Sequence, residues 1–227
     1  MATAIVPAAG TGERLSSGSP KALVPLAGKP LAAWAVGALA RAESVQRIVI
    51  AAPPGLEQQI GAVARDAARG IPIDVVAGGP NRSHSVANAV RAVSEGELVV
   101  IHDAARPLVT PELIDTCVSK LEEWLCAGIV AATPATDTIK QAGRDGRVNA
   151  TLDRGRLWLV QTPQVFRAEV LVGALSRAPL DGAYDDAQLV EAAGGDVRIV
   201  EGPRENLKVT TQFDLRVAEL LLAREPS

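Results

Sequence analysis

Along the chain, short apolar runs rich in β-branched residues alternate with longer stretches whose apolar positions recur every three or four residues. Ala4 to Pro7, Arg47 to Ala52, Ile73 to Ala77, Leu98 to His102 and Ile129 to Thr133 read as buried strands, while Leu31 to Ala40, Leu56 to Ala68, Ser83 to Val93 and Pro111 to Trp124 carry helical periodicity. Strand and helix alternation of this kind predicts an α/β fold: a mostly parallel sheet with helices on both faces. Ligands in such sheets bind beyond the carboxyl ends of the strands. The polar or glycine-rich segments AAGTGER, GGPNRSHS and DAARP each follow a strand, so three strands deliver them to one rim.

The rhythm breaks in the middle. Asp137 to Gln141 and Arg147 to Asp153 are short alternating segments around the turn-forming stretch Ala142 to Gly146, which predicts a β-hairpin. Few large apolar residues lie in it, so it either docks on another surface, with a second copy of the chain as the candidate, or stands in solvent. Helices near Arg167 to Arg177 and Asp185 to Ala193, a strand at Asp196 to Glu201 and a last helix opened by a capping box at Thr211 to Asp214 complete the expectation. The length of 227 residues suits one core, and a single domain over 1–227 is expected, with the hairpin arm at about 136–156 within it.

The first strand runs into Ala8-Ala9-Gly10-Thr11-Gly12, followed by Arg14 and Lys21. Gly10 and Gly12 can take backbone angles that let several N–H groups converge on anionic oxygens, and the two cations add full charge beside them. The dinucleotide fingerprint fails because Leu15 stands where a third glycine is needed, and the Walker pattern fails at Leu23 and Pro30. Two readings of the loop are left, a tight structural turn and a triphosphate cradle, and the cations favour the cradle.

Composition narrows the partners. A net charge of −3 and only three Trp, one Tyr and two Phe argue against a nucleic-acid surface. No apolar run approaches the roughly 18 residues of a membrane span, and the N-terminus has no basic leader, so a cytoplasmic protein without membrane attachment is expected. Cys117 and Cys126 lack zinc-site spacing and read as core packing in a reducing compartment. The two histidines, His84 and His102, lie near no recognisable nucleophile and read as local hydrogen-bonding groups. Their scarcity disfavours hydrolases that need an imidazole base, whereas nucleotidyl transfer to a phosphate can do without one, because a phosphate with a second pKa near 6 is already ionised at pH 7.

Asp103, directly after a buried strand, is placed either to meet Mg²⁺ or a ribose hydroxyl, or to cap a turn. Gly78-Gly79 permits close approach to a flat base, and Arg82, Ser83 and Ser85 follow at a helix start, where anion binding and capping are equally served. Arg154 and Lys208, taken singly, read as surface charges that folding could bring inward.

PAAGTGERL with Pro20-Lys21, GGPNRSHSV, VIHDAARP, ATDTIK, DRGRLWLVQTPQVF and ENLKVT, in this order over nearly the whole chain, resemble the 2-C-methyl-D-erythritol 4-phosphate cytidylyltransferase family. The resemblance implies a Rossmann-like nucleotidyltransferase sheet, CTP and methylerythritol phosphate as substrates, pyrophosphate release, Mg²⁺ dependence and a step of non-mevalonate isoprenoid synthesis. By that similarity Ala8, Ala9, Gly10, Thr11 and Gly12 cradle the nucleotide, Gly79 and Ser85 read cytosine, and Arg82 supports their loop. Arg14 and Lys21 match the catalytic phosphate-binding cations. Asp103 matches a carboxylate between ribose, metal and substrate, with Ala104 on the ribose side and Arg106 close to the substrate. Thr138, Arg154 and Lys208 match positions that hold the acceptor phosphate, with the hairpin arm swapping across a homodimer to bring Thr138 and Arg154 into the partner site.

Tyr184, before Asp185-Asp186, departs from the threonine of relatives, which puts the acceptor contact there in question. Pro80, which replaces an aspartate found in some relatives, offers only its carbonyl. A cytidylyltransferase for ribitol 5-phosphate or another polyol phosphate is the nearest alternative, and a non-catalytic nucleotide-binding regulatory module is the alternative of another class.

Overall fold

The computed structural model describes residues 1–10, 12, 15, 19–177 and 179–223. In chain order its elements are β1 (Ala2–Pro7), β2 (Pro25–Leu26), β3 (Lys29–Pro30), α1 (Leu31–Leu39), β4 (Val45–Ala52), α2 (Glu57–Ala67), β5 (Ile73–Ala77), α3 (Arg82–Val90), β6 (Leu98–Ile101) and α4 (Pro111–Trp124). There follow β7 (Gly128–Pro134), β8 (Lys140–Ala142), β9 (Val148–Thr151), β10 (Trp158–Arg167), α5 (Ala168–Arg177), α6 (Asp186–Ala192), β11 (Val197–Glu201) and α7 (Gln212–Leu222).

Seven strands form one sheet in the order β11-β7-β10-β6-β1-β4-β5. Every pairing in it is parallel except those of β10, which runs antiparallel to both β6 and β7. The side-chain period of two divides each strand between two cores. Ala4 and Val6, Ile48 and Ile50, and Leu98 and Val100 face α1, α2 and α4, while Ile5, Val49, Val99 and Ile101 face α3, α5 and α6. Strands buried on both faces read as continuous apolar runs, which is why these were legible in the sequence.

The expected strands and helices are present, with small differences at their ends; α3 stops at Val90 and β6 at Ile101. β10 was not anticipated. Its sequence, WLVQTPQVFR, carries Pro163 inside an apolar run, which ordinarily demotes a segment to an edge or a loop. The sheet accommodates Pro163 at a break in register between Val160 and Gln164, where no ladder N–H is required. Gly128 sits opposite Phe166, and a Cβ there would meet the Phe166 ring at 2.6 Å. That close approach lets the buried ring fill the sheet between α5 and the neighbouring strand.

The hairpin is present as β8 and β9, shorter than expected and paired antiparallel from Lys140↔Thr151 to Ala142↔Val148. Thr138 precedes β8 and is exposed. Beyond β6, the chain order reverses: β1 leads to β4 and β5 on one side, and the chain then returns to β6 on the other. The loops after β1 and β6 therefore diverge and open a crevice between them.

Candidate active site

That crevice holds a cavity of about 430 Å³ lined by residues from each of the three anticipated segments. The β1 loop supplies Ala8, Ala9, Gly10 and Gly12, with Lys21 and Ala22 just beyond. Gly12 has φ +74°, and a Cβ on it would stand 3.1 Å from the backbone nitrogen of Lys21, so both its angle and its packing call for glycine. The Lys21 N–H donates to Gly10 O at 3.2 Å, closing the loop and carrying the lysine to the cavity wall. Thr11 and Arg14 lie outside the described residues.

Gly79, Pro80, Asn81, Arg82 and Ser85 form the second wall. Asn81 caps α3 by accepting the His84 N–H at 3.0 Å. The Ser85 hydroxyl donates to Asn81 O at 2.9 Å and accepts the Gly79 N–H at 3.0 Å, so it shapes the loop against which a base would lie. Side chains at Gly79 would collide with His84, and at Gly78 with Ala9 of the first loop at 2.5 Å.

The floor is electrostatic. Arg82 Nε donates to Asp103 Oδ1 at 2.8 Å and its Nη1 to Asp186 Oδ2 at 2.6 Å, while Lys208 Nζ holds Asp103 Oδ2 at 2.7 Å. Burial alone would raise the Asp103 pKa, but the Arg82 and Lys208 charges outweigh it and hold this carboxyl well below the usual range. Burial likewise disfavours charge on Arg82, and Asp103 and Asp186 together reverse that effect and raise its pKa. Lys208 reaches the floor because the Val209 N–H donates to Ala105 O at 2.8 Å, pinning the C-terminal segment beside the Asp103 loop.

His102 shows why Asp103 stays in place. Its Nε2 lies 3.0 Å from Arg106 O, which can only accept, so Nε2 carries the proton and Nδ1 accepts from the Thr162 hydroxyl at 3.0 Å. Thr162 Oγ1 in turn accepts the Asp103 N–H at 3.1 Å. Burial pushes the His102 pKa down to about 4, so this ring is neutral at pH 7 and structural, as the sequence suggested. Cys117 is likewise buried in the core, its thiol pushed up to about 12.

The remaining anticipated residues are placed elsewhere. Arg106 does not line the cavity; its guanidinium is buried and donates to Asn206 O at 2.8 Å and Val160 O at 3.1 Å. It thus ties together the two segments that flank the floor. Arg154, in a 3-10 turn after β9, is exposed and donates to Thr136 O at 2.7 Å. Neither it nor Thr138 lines the cavity of its own chain. Tyr184 is 91% exposed. Sequence reading did not single out Thr162, Asn206 or Asp186. Asn206 donates to Gln161 Oε1 at 3.0 Å and Thr162 O at 2.8 Å, a bond set that depends on the unanticipated β10.

Among the described residues no group of three or more His, Cys, Asp or Glu could hold a metal ion, and Asp103 is the one carboxylate on the cavity wall. A carboxylate offers about four lone-pair sites, so one already paired with two cations keeps capacity for a further ligand. This donor set fits a Mg²⁺ carried in on a triphosphate, which retains most of its own ligands, and not a protein-only cage.

A family model for 2-C-methyl-D-erythritol 4-phosphate cytidylyltransferase matches residues 2–224. The protein of that name from Synechococcus elongatus is 43% identical over 96% of this chain and 94% of its own, and that from Frankia casuarinae 46% identical over 97% and 81%. Among solved structures, 4-diphosphocytidyl-2C-methyl-D-erythritol synthase from Anaerococcus prevotii superposes with a TM-score of 0.86 at 25% identity, covering 99% of this chain and 96% of that one. The cytidylyltransferase of Thermus thermophilus gives 0.78 at 30% identity, covering 98% of each chain.

Proposed function

The chain belongs to the 2-C-methyl-D-erythritol 4-phosphate cytidylyltransferase family, and on that premise we propose that it transfers the cytidylyl group of CTP to 2-C-methyl-D-erythritol 4-phosphate. The products are 4-CDP-2-C-methyl-D-erythritol and pyrophosphate, a step of non-mevalonate isoprenoid precursor synthesis. The observation that carries this reading is the convergence of the glycine loop, Lys21, the Gly79–Ser85 wall, Asp103 and Lys208 on one cavity.

An acceptor phosphate oxygen attacks the α-phosphorus of CTP in line. A new P–O bond forms, the α–β bridging bond breaks, and pyrophosphate leaves with the electron pair. No covalent enzyme intermediate and no protein base are needed, because the nucleophile is already ionised at pH 7. The obstacle is that two anions must meet, so the protein's contribution is positioned positive charge. The loop N–H groups and Lys21 stand on the triphosphate side, with Arg14 assigned beside them by family resemblance. Lys208 stands on the acceptor side, 2.7 Å from Asp103. Asp103 is the protein carboxylate that would hold a Mg²⁺ brought in on the triphosphate, and such an ion would supply partial neutralisation of the phosphate charge there.

Arg154 and Thr138 belong to this reading through the arm of a second copy. Support comes from exposed apolar side chains, Val148 and Leu152 on the arm and Trp158, Leu159 and Val160 on the adjoining half of β10, which a partner would cover. A cytoplasmic setting is supported by two free, buried cysteines, which suit a reducing compartment. No helix among the described residues is long and apolar enough to cross a membrane. The chain is taken as one nucleotidyltransferase domain.

Pyrophosphate release measured with CTP and a panel of polyol phosphates tests the assignment. Turnover is expected with methylerythritol phosphate above all. Preference for ribitol 5-phosphate would move the acceptor, and silence with every acceptor despite CTP binding would leave a regulatory module.

A further inference from the structure

Asp186 is fully buried at the start of α6, and its Oδ2 accepts from Arg82 Nη1 at 2.6 Å. Its Oδ1 has no partner among the described residues, so Arg82 is the cation on which this carboxylate depends. Burying an ionised group is expensive, and burial does push the Asp186 pKa upward against the pull of Arg82. An apolar residue would fill the same space at lower cost. What the carboxylate adds is direction.

Arg82 lies on the wall of a cavity built for a triphosphate, and a guanidinium there is drawn toward phosphate oxygens. It is held instead between two carboxylates, Nε on Asp103 at 2.8 Å and Nη1 on Asp186. With Nε and Nη1 both held, the plane of the fork is fixed and Asp103 has a rigid neighbour, while Nη2 has no partner among the described residues. The residues on either side of Asp186 are anchored. Gln164 of β10 donates to Asp185 Oδ2 at 3.0 Å and accepts the Ala187 N–H at 3.2 Å, clamping the start of α6 to the sheet.

We propose that Asp186 is a positioning residue for the transfer reaction: it tethers Arg82 to Asp103 and keeps that guanidinium off the nucleotide phosphates. The ion chain Lys208, Asp103, Arg82, Asp186 alternates in sign and joins four separate segments, so the geometry at Asp103 is set from a residue outside the cavity lining. This inference rests on the transferase reading given above.

The test is a double-variant cycle with Asp186→Asn, Arg82→Gln and the pair together, reading kcat and the KM for CTP from pyrophosphate release. The stoichiometry of CTP binding by calorimetry gives the folded, competent fraction. Wild-type turnover comes first; its absence would overturn both the transferase reading and this inference. With turnover present, Asp186→Asn is expected to lower kcat per competent site by about tenfold or more, with the KM for CTP unchanged or lower, because a released guanidinium can add a ground-state contact to the nucleotide phosphates. The double variant should match Arg82→Gln within about threefold, since a tether has no effect once the tethered group is gone. A kcat per competent site equal to wild type in Asp186→Asn overturns the proposal. So does a double variant about tenfold or more below Arg82→Gln. Should Asp186→Asn fail to fold, the comparison of the double variant with Arg82→Gln, in which both buried charges are removed together, decides alone.

Discussion

The nucleotide cavity gathers most of the functional candidates and the hairpin arm carries two, Thr138 and Arg154, and the two regions are built in opposite ways. On the cavity floor charges from distant segments meet one another: Lys208 with Asp103, Asp103 with Arg82, Arg82 with Asp186. The arm's bonds are local. Arg154 reaches Thr136 O, Lys140 Nζ reaches Thr151 Oγ1 at 2.6 Å, and Leu159 beside it is 56% exposed. A site whose charges are preorganised by its own chain can bind nucleotide as a monomer. A surface whose cations bond only to their own neighbours leaves its apolar side chains exposed, and these side chains support the proposal of a covering second copy.

The sharpest way to break the cavity side of this contrast is Lys21→Ala. With the charge on the leaving-group side gone, kcat should fall about 10²-fold or more, equivalent to roughly 3 kcal/mol, while the folded structure is kept. A kcat near wild type would remove Lys21 from the mechanism and leave the triphosphate to the glycine loop and the assigned Arg14.

On the arm side, Arg154→Ala should raise the KM for methylerythritol phosphate by about tenfold or more while CTP affinity, read by calorimetry, changes little. An equal loss of both affinities would mean that the arm shapes the nucleotide site. If the arm acts across a dimer, mixing Lys21→Ala and Arg154→Ala subunits regenerates intact sites. Half of randomly assorted dimers are mixed and each has one sound site, so activity should recover to about a quarter of wild type. No recovery on mixing, with subunit exchange verified by mass, would put Arg154 to work within its own chain.

The contrast also explains what the sequence could and could not tell. The strands around the cavity are buried on both faces, so their apolar runs and the special loops after them were visible without any knowledge of packing. β10 was hidden because Pro163 breaks its pattern, and everything that depends on β10 was hidden with it: Thr162 on His102 and Asp103, Asn206 on Thr162, Gln164 on α6. Asp186 follows the same rule. An aspartate at a helix start reads as a capping group, and only the arrival of Arg82 from a segment about a hundred positions away in sequence gives it another task. Arg106, which the resemblance puts close to the substrate, has its guanidinium on the carbonyls of Asn206 and Val160, a joining of two loops that also depends on β10.

The smallest effect concerns stability and separates the two regions by pH. His102 lies inside the cavity's supporting network and titrates at about 4 when folded, against an ordinary value of 6.5. Between those values the unfolded chain takes up a proton that the folded ring refuses, so this group's contribution is complete above pH 6.5 and is lost as pH falls toward 4. From pH 7 to pH 5 the loss amounts to about 2 kcal/mol, or roughly 5 °C in Tm. Asp186, with its raised pKa, slopes the other way over the acid part of this window, so the difference between two chains is the meaningful quantity. His102→Asn keeps an acceptor for the Thr162 hydroxyl and removes the titrating ring. Its Tm should be lower than wild type at pH 7, with the gap narrowing by roughly 5 °C at pH 5. The arm has no buried titrating group to match, since both of its strands are exposed over most of their length. A gap that stays constant with pH would show that His102 is not the group through which acid loosens the floor of the cavity.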